Sequence, residues 1–305
     1  MSIKRLATVS AAALLVLSAC SDPDDAGQES DDAAQESAGT IGIGSADFPE
    51  SQIIAEIYAH ALEAEDFQVE RNFQIGAREV YMPALENAEI DLMPEYTGNL
   101  LSYLDPETTA TSAEDIEAEI PQALPEGLEV LDTAEAQNKD SLNVTEEFAA
   151  QNDLESIGDL AELEQLSLAA NPEFAERAYG IPGMEEVYGI TDVDFTPISD
   201  GGGPATLQAL LDGTVDVADI YTTTPSIEEN DLVTLEDPED MIAAQHVVPV
   251  VRAEAMDEQA RSILNEVSAA LTTEALTQMN ARNSGDEVEE PATIAQDWLE
   301  ENDLG

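Results

Sequence analysis

The chain has 305 residues, with 67 Asp+Glu against 9 Lys+Arg and a formal net charge of -58. That balance argues against nucleic-acid binding, which needs a basic footprint to neutralise phosphates, and an anionic membrane surface repels the chain for the same reason. A hydrophobic content of 43% nevertheless supplies a sizeable core, enough for one large or two medium domains. So high a charge opposes compaction unless it is screened, and at molar salt the Debye length is only about 3 Å. The composition therefore predicts a protein made for a salty exterior; the plainer alternative is an acidic surface kept for solubility.

In chain order, Met1–Arg5 is a short basic region and Leu6–Ala19 an apolar stretch too short to span a bilayer as a helix. Together they read as a secretory signal over residues 1–19. Leu17-Ser18-Ala19-Cys20 resembles the lipobox of bacterial lipoproteins, which implies cleavage before Cys20 and lipidation of its thiol. The chain would then be extracytoplasmic and held at the outer face of the cell membrane. Cys20 is the only cysteine, so no disulfide forms within a monomer. The residues that follow, to about residue 39, are small and acidic with no large apolar side chain, and read as a flexible tether.

From Thr40 onward, short apolar runs alternate with amphipathic stretches, the pattern of an α/β protein. Ile41–Gly44 predicts a strand, and Asp47-Phe48-Pro49-Glu50 opens a helix through Glu63. Phe67–Phe73 alternates with period two, Gly76 opens a helix to about Asn87, and Ile90–Met93 is the next strand. Leu166–Ala170 and Val215–Ala218 are strand-like, and Val247–Val251 carries a proline that points to a strand edge or a crossover. The stretch from Asp257 to Asn280 reads as helical, with apolar Ile263, Leu264, Val267, Leu271 and Leu276.

An internal match is the most informative feature. Residues 84–97 align without gaps to residues 209–222, with identities at Ala84/Ala209, Leu85/Leu210, Asp91/Asp216, Tyr96/Tyr221 and Thr97/Thr222. Each copy reads as a helix end, a turn, a strand and a tyrosine just past it; a chance match between similar units is the alternative. If the match is structural, the chain holds two related lobes. Ligands of open α/β sheets bind beyond the carboxyl ends of strands, which sets Tyr96 and Tyr221 on opposite walls of one cleft. Facing aromatic rings suit a desolvated organic cation, at about 0.5–2 kcal/mol per ring. Two locally bonded core tyrosines are the plainer reading.

Gly44-Ser45-Ala46-Asp47-Phe48-Pro49-Glu50 and Glu89–Asn99, with its Pro94-Glu95-Tyr96-Thr97-Gly98 segment, resemble the substrate-binding proteins of osmoprotectant (glycine betaine/choline) ABC transporters. The likeness continues through Ala175-Glu176-Arg177, Pro182-Gly183-Met184, Val215–Tyr221 and Pro249–Arg252. It implies a two-lobed clamshell of the type II periplasmic-binding-protein kind, α/β in class, with the ligand cleft between lobes. Residues 40–138 plus 244–305 would form lobe 1 and residues 139–243 lobe 2. It further implies a monomer that feeds a membrane permease, with no catalysis and no cofactor. Carried over residue by residue, Tyr96 and Tyr221 match walls of the family's aromatic cage, and Arg177 matches an arginine that holds a ligand carboxylate. Asn99 stands where a hydroxyl residue is usual.

Three positions depart from the family pattern. Ala46, beside Asp47, replaces a carboxylate-binding lysine; Asp140 or Ser141 falls where a third cage tyrosine is common, and Gln245 or His246 where a fourth is. The helix near Phe48 offers backbone N–H groups in place of the lysine. An aspartate near the cage favours a net cation over a zwitterion, whereas Arg177 pulls toward a zwitterion, so betaine and choline both stay open. The same clamshell holding another small cation or an amino acid is the alternative. An extracellular hydrolase or adhesion module lacks support: no nucleophile elbow, His/Cys metal spacing or calcium loop is present, and His60 reads as packed or surface-exposed. Gly201-Gly202-Gly203 reads as a turn that either approaches the ligand or merely connects.

Overall fold

Two five-stranded mixed sheets organise the computed structural model, which describes residues 39–163, 165–284 and 288–305. The expected signal segment, Cys20 and nearly all of the tether lie outside the described residues. The first part of the chain runs β1 (Ile41–Gly44), α1 (Pro49–Ala64), β2 (Val69–Asn72), α2 (Arg78–Glu86), β3 (Leu92–Tyr96), α3 (Thr97–Leu104), α4 (Ala113–Ala123) and β4 (Leu128–Val130). A second part follows with β5 (Leu142–Thr145), α5 (Glu146–Asn152), β6 (Leu166–Ala170), α6 (Ile181–Tyr188), β7 (Val193–Pro197), α7 (Pro204–Leu211), β8 (Val217–Asp219), α8 (Ser226–Glu229) and β9 (Leu232–Thr234). The chain then returns through β10 (Val247–Arg252) and ends in α9 (Glu258–Ala270), α10 (Thr273–Ser284) and α11 (Pro291–Glu301).

The strand orders are β2-β1-β3-β10-β4 and β7-β6-β8-β5-β9. These are one topology used twice: three parallel strands, then an antiparallel strand beside the third, then an edge strand. The internal match therefore has a structural basis. Its shared aspartate shows why: Asp91 accepts a hydrogen bond from Gly42 N and returns one from its own N–H, and Asp216 does the same with Ser167. Each aspartate lies 49 residues after its partner, and each ties the central one of its three parallel strands, β1 or β6, to the turn before β3 or β8.

That tie moves two strand starts. β3 and β8 begin at Leu92 and Val217, two residues later than hydrophobicity alone suggests, because Asp91 and Asp216 belong to turns. Tyr96 consequently ends β3, while Tyr221 lies two residues beyond β8.

Helix α1 starts at Phe48 in extended backbone with Pro49 at its first turn, where a missing N–H costs nothing. It is buried on most of its circumference, so Ile53, Ile54, Ile57, Tyr58 and Leu62 join one core with Val247, Val251, Leu264, Leu276 and Trp298. The second sheet has its own core, built from Leu142, Val144, Leu166, Leu168, Phe174, Met184 and Val217.

Two expectations are corrected. β10 is neither an edge nor a crossover but sits between β3 and β4, with Pro249 opposite Pro94. The proline is tolerated because its C=O, and hence its absent N–H, faces the side where β4 has ended at Val130; there Leu131 N donates to Pro249 O at 3.0 Å. The C-terminal helical stretch is also two helices, not one. Thr272 caps the second, accepting from Ala275 N at 3.2 Å, and Leu271 O is taken by Ala136 N. Among the described residues no helix is long and apolar enough to cross a membrane.

Candidate functional site

A cavity of about 120 Å³ lies where the carboxyl ends of the parallel strands in both sheets converge. Ala46, Asp47 and Phe48 reach it from the turn after β1, Arg78 and Tyr81 from α2, and Tyr96 and Asn99 from the end of β3 and the start of α3. On the other side stand Asn171, Arg177 and Tyr179 after β6, and Asp219 and Tyr221 at the end of β8. Asp140 enters from the segment that carries the chain from β4 to β5.

Aromatic rings from both sides meet here. Phe48 is edge-on to Tyr221 at 5.5 Å between centroids and tilted against Tyr96 at 6.0 Å. Phe174 and Tyr179 make a second edge-on pair at 6.2 Å. The phenol ends are anchored: Tyr96 donates to Glu50 Oε1 at 2.5 Å, and Tyr221 Oη accepts from Asn171 Nδ2 at 3.0 Å. Burial, then the Glu50 charge and hydrogen bond, pushes the Tyr96 hydroxyl well up; burial followed by repulsion from Asp140 and Asp219 does so for Tyr221. Both rings therefore stay neutral hydroxyl-bearing faces.

Glycines let the turn after β7 close over these rings. Gly202 has φ +72°, and a Cβ there would lie 2.9 Å from both Asp219 O and Ile220 Cα. At Gly201 a Cβ would meet Phe48 Cβ at 3.0 Å, so this glycine turn packs directly against the aromatic wall.

The two arginines of the cavity already have partners. Arg78 forks onto Glu95 with two bonds of 2.7 Å, and Tyr81 donates to the same carboxylate at 2.8 Å. Arg177 Nη2 bonds Glu79 at 2.9 Å, joining the segment after β6 to helix α2 of the other lobe. Asp140 and Asp219 have no such partner: Asp140 accepts from Asn99 Nδ2 and Asp219 from Ser141 N, each at 3.2 Å. Burial raises both carboxyls, Asp219 further because Asp140 repels it.

Of the residues singled out in the sequence, Ala46, Asp47, Tyr96, Asn99, Asp140, Arg177 and Tyr221 line this one cavity. Gln245, His246 and Ser141 are not among its lining residues. Gln245 lies behind Asn99, accepting from its N–H at 2.9 Å and donating to its Oδ1 at 2.6 Å, so it fixes that side chain. His246 turns its Nδ1 to Ala134 O at 2.9 Å, and Ser141 Oγ donates to Ile220 O. His60 sits on α1 beside Glu56 and Glu63, away from the cavity.

Eleven of the lining residues had not been singled out in the sequence, Phe48, Arg78, Tyr179 and Asp219 among them. Asp219 carried a usable signal, because residues two apart at a strand end face the same way and Tyr221 was already on the cleft. Tyr179 stands two residues past Arg177. The Arg78–Glu95 pairing had no local signature. Among the described residues, no group of three or more His, Cys, Asp or Glu could hold a metal ion.

Residues 39–301 match the family described as the substrate binding domain of ABC-type glycine betaine transport systems. Over 260 residues the chain is 28% identical to the glycine betaine-binding protein YehZ of Escherichia coli, covering 81% of this chain and 85% of that protein. It is 27% identical over 282 residues to a glycine-betaine-binding protein of Pseudomonas aeruginosa, covering 87% and 88%. The crystal structure of a glycine betaine/carnitine/choline ABC transporter shares the fold with a TM-score of 0.70 at 22% identity, covering 87% of this chain and 99% of that one. The family is one of solute-binding domains and not of enzymes. With a match that spans nearly all the described residues and a duplicated two-lobed fold, the chain belongs to the family of substrate-binding domains of ABC-type glycine betaine transport systems.

Proposed function

We propose that this protein is the extracytoplasmic solute-binding component of an ABC importer, and that its cavity takes a quaternary-ammonium osmoprotectant of the glycine betaine or choline type. The observation that carries this reading is the convergence of Phe48, Tyr96 and Tyr221 from two lobes on one small cavity. A quaternary ammonium has no N–H to donate, so recognition falls to ring faces and to nearby negative charge. Tyr96 and Tyr221 serve as opposing walls, with Asn99 and Arg177 as the polar contacts and Ala46 and Asp47 at the rim. Closure of the lobes around the ligand gives the form a permease reads, by a shift between open and closed populations. Lipidation at Cys20 would hold the protein at the outer face of the membrane, with residues 20–39 as its tether; Cys20→Ser should then move it from the detergent phase to the aqueous phase on partitioning.

Isothermal titration calorimetry of the full chain in molar salt tests the ligand class, with glycine betaine, choline, carnitine, proline, arginine and a neutral sugar. Saturable binding of a quaternary amine is expected. Binding of only proline, arginine or sugar would overturn it. A second reading, another small cation in the same clamshell, is favoured by the buried Asp140 and Asp219 carboxyls, and the arginine arm of the panel addresses it.

A further inference from the structure

The charges around the cavity do not cancel. Arg78 and Arg177 are the two cationic residues lining it, and Glu95 and Glu79 already engage them. Asp140 and Asp219 are 8% and 2% exposed, and among the described residues neither has a cationic nitrogen at ion-pair distance. Both border the space enclosed by the aromatic rings, and Asp219 Oδ1 accepts from the N–H of Ser141, the residue next to Asp140. Two ionised carboxylates buried on one cavity are costly without a counter-charge.

We propose that Asp140 and Asp219 share a proton while the site is empty and release it to solvent when a cationic ligand enters, so that binding is coupled to proton release and the site selects a net cation. The proposal rests on the cavity being the ligand site. Burial raises both carboxyls above the ordinary range, and the charge of Asp140 raises Asp219 further. The other groups facing it reinforce this. Tyr179 and Tyr221, from the segments after β6 and β8, stay neutral and supply no positive charge; Arg177 supplies attraction diluted by Glu79, and Asn99 on α3 supplies one hydrogen bond. Asp47 and Glu173 at the cavity rim add negative potential, and Arg78 is held by Glu95. An arriving onium charge is the missing partner: it lowers the cost of the second negative charge and expels the proton. A zwitterion brings its own carboxylate into the same negative field and gains less.

Calorimetry of the full chain with choline, repeated at one pH in buffers of different ionisation enthalpy, counts the protons released. The expected result is release approaching one proton per choline, with affinity rising up to about tenfold per pH unit across the titration of the pair, and a smaller release with glycine betaine. Asp219→Asn should abolish the release. Carboxyl-carbon NMR of the ligand-free protein supplies an independent readout, in which one aspartate carboxyl should keep its proton far above the ordinary range. Quaternary amines that bind with no proton released and no pH dependence would overturn the proposal and leave the functional reading standing. Arginine binding with proton release, and no quaternary amine binding, would uphold the acid pair and overturn the quaternary-ammonium reading. Two aspartates titrating in the ordinary range would overturn the proposal whatever the ligand.

Discussion

Replacing Glu50 by glutamine tests how the aromatic wall is joined to the rest of the molecule. Glu50 is 3% exposed, and its carboxylate accepts four hydrogen bonds: Tyr96 Oη at 2.5 Å and Asn138 Nδ2 at 2.8 Å on one oxygen, Thr223 Oγ1 at 2.5 Å and Asn280 Nδ2 at 2.6 Å on the other. The donors come from β3, from the crossing between the sheets, from the segment after β8 and from α10. One carboxylate thus gathers segments of both sheets and of the crossing between them. Glutamine keeps the shape but turns one acceptor into a donor. Either way the amide points, its NH₂ faces a hydroxyl, which can rotate to accept, and an amide nitrogen, which cannot. Asn280 keeps bonds to Thr223, so the cheaper orientation places the NH₂ there. Three bonds lose their charge assistance at about 0.5–1 kcal/mol each and one donor is partly stranded at about 1 kcal/mol, while relief of a buried charge offsets part of this. The net loss is about 2–3 kcal/mol, or roughly 4–10 °C in Tm for a domain of this size. Differential scanning calorimetry reads the shift, and small-angle scattering should show a more open average form. A Tm within about 1 °C of the parent would refute the claim that this carboxylate holds the lobes together.

Four further outcomes follow from the same geometry. Tyr221→Ala should weaken quaternary-amine binding roughly tenfold or more by calorimetry; unchanged affinity would remove Tyr221 from the site. Gly202→Ala should destabilise by about 2–4 kcal/mol in denaturant titration, since a left-handed residue acquires a Cβ against the backbone of Asp219 and Ile220. Asp140 and Asp219 bind protons more tightly folded than unfolded, so their stabilising contribution is complete below the ordinary aspartate range of about 4 and is lost as pH rises through the raised folded values. Asp219→Asn should therefore raise the ligand-free Tm at pH 8 and flatten its pH dependence, even as it impairs cation binding. The formal charge of -58 predicts that Tm climbs as salt is raised from about 0.1 M to 2 M; a flat or falling response would refute an acidic surface adapted to salt.

What the amino-acid sequence determined by itself is what repeats or alternates along the chain. The apolar runs at Ile41–Gly44 and Leu166–Ala170 specify strands, Pro49 and its apolar successors specify α1, and the match of residues 84–97 to 209–222 specifies two lobes with a tyrosine at equivalent strand ends. These are local patterns, and local patterns survive in a string of letters. The ladder position of β10 was not legible, because the side of Pro249 left without a partner depends on where β4 stops. Nor were Phe48 and Arg78, whose roles arise from a ring facing the other lobe and from a glutamate 17 residues away. The acid pair is the clearest case. Asp140 lies on the crossing segment and Asp219 at a strand end, 79 residues on, and nothing in either neighbourhood singles out the other. Only the packing of β5 against β8 brings the two carboxyls together and dries them, and burial together is what turns two ordinary aspartates into one proton-holding group.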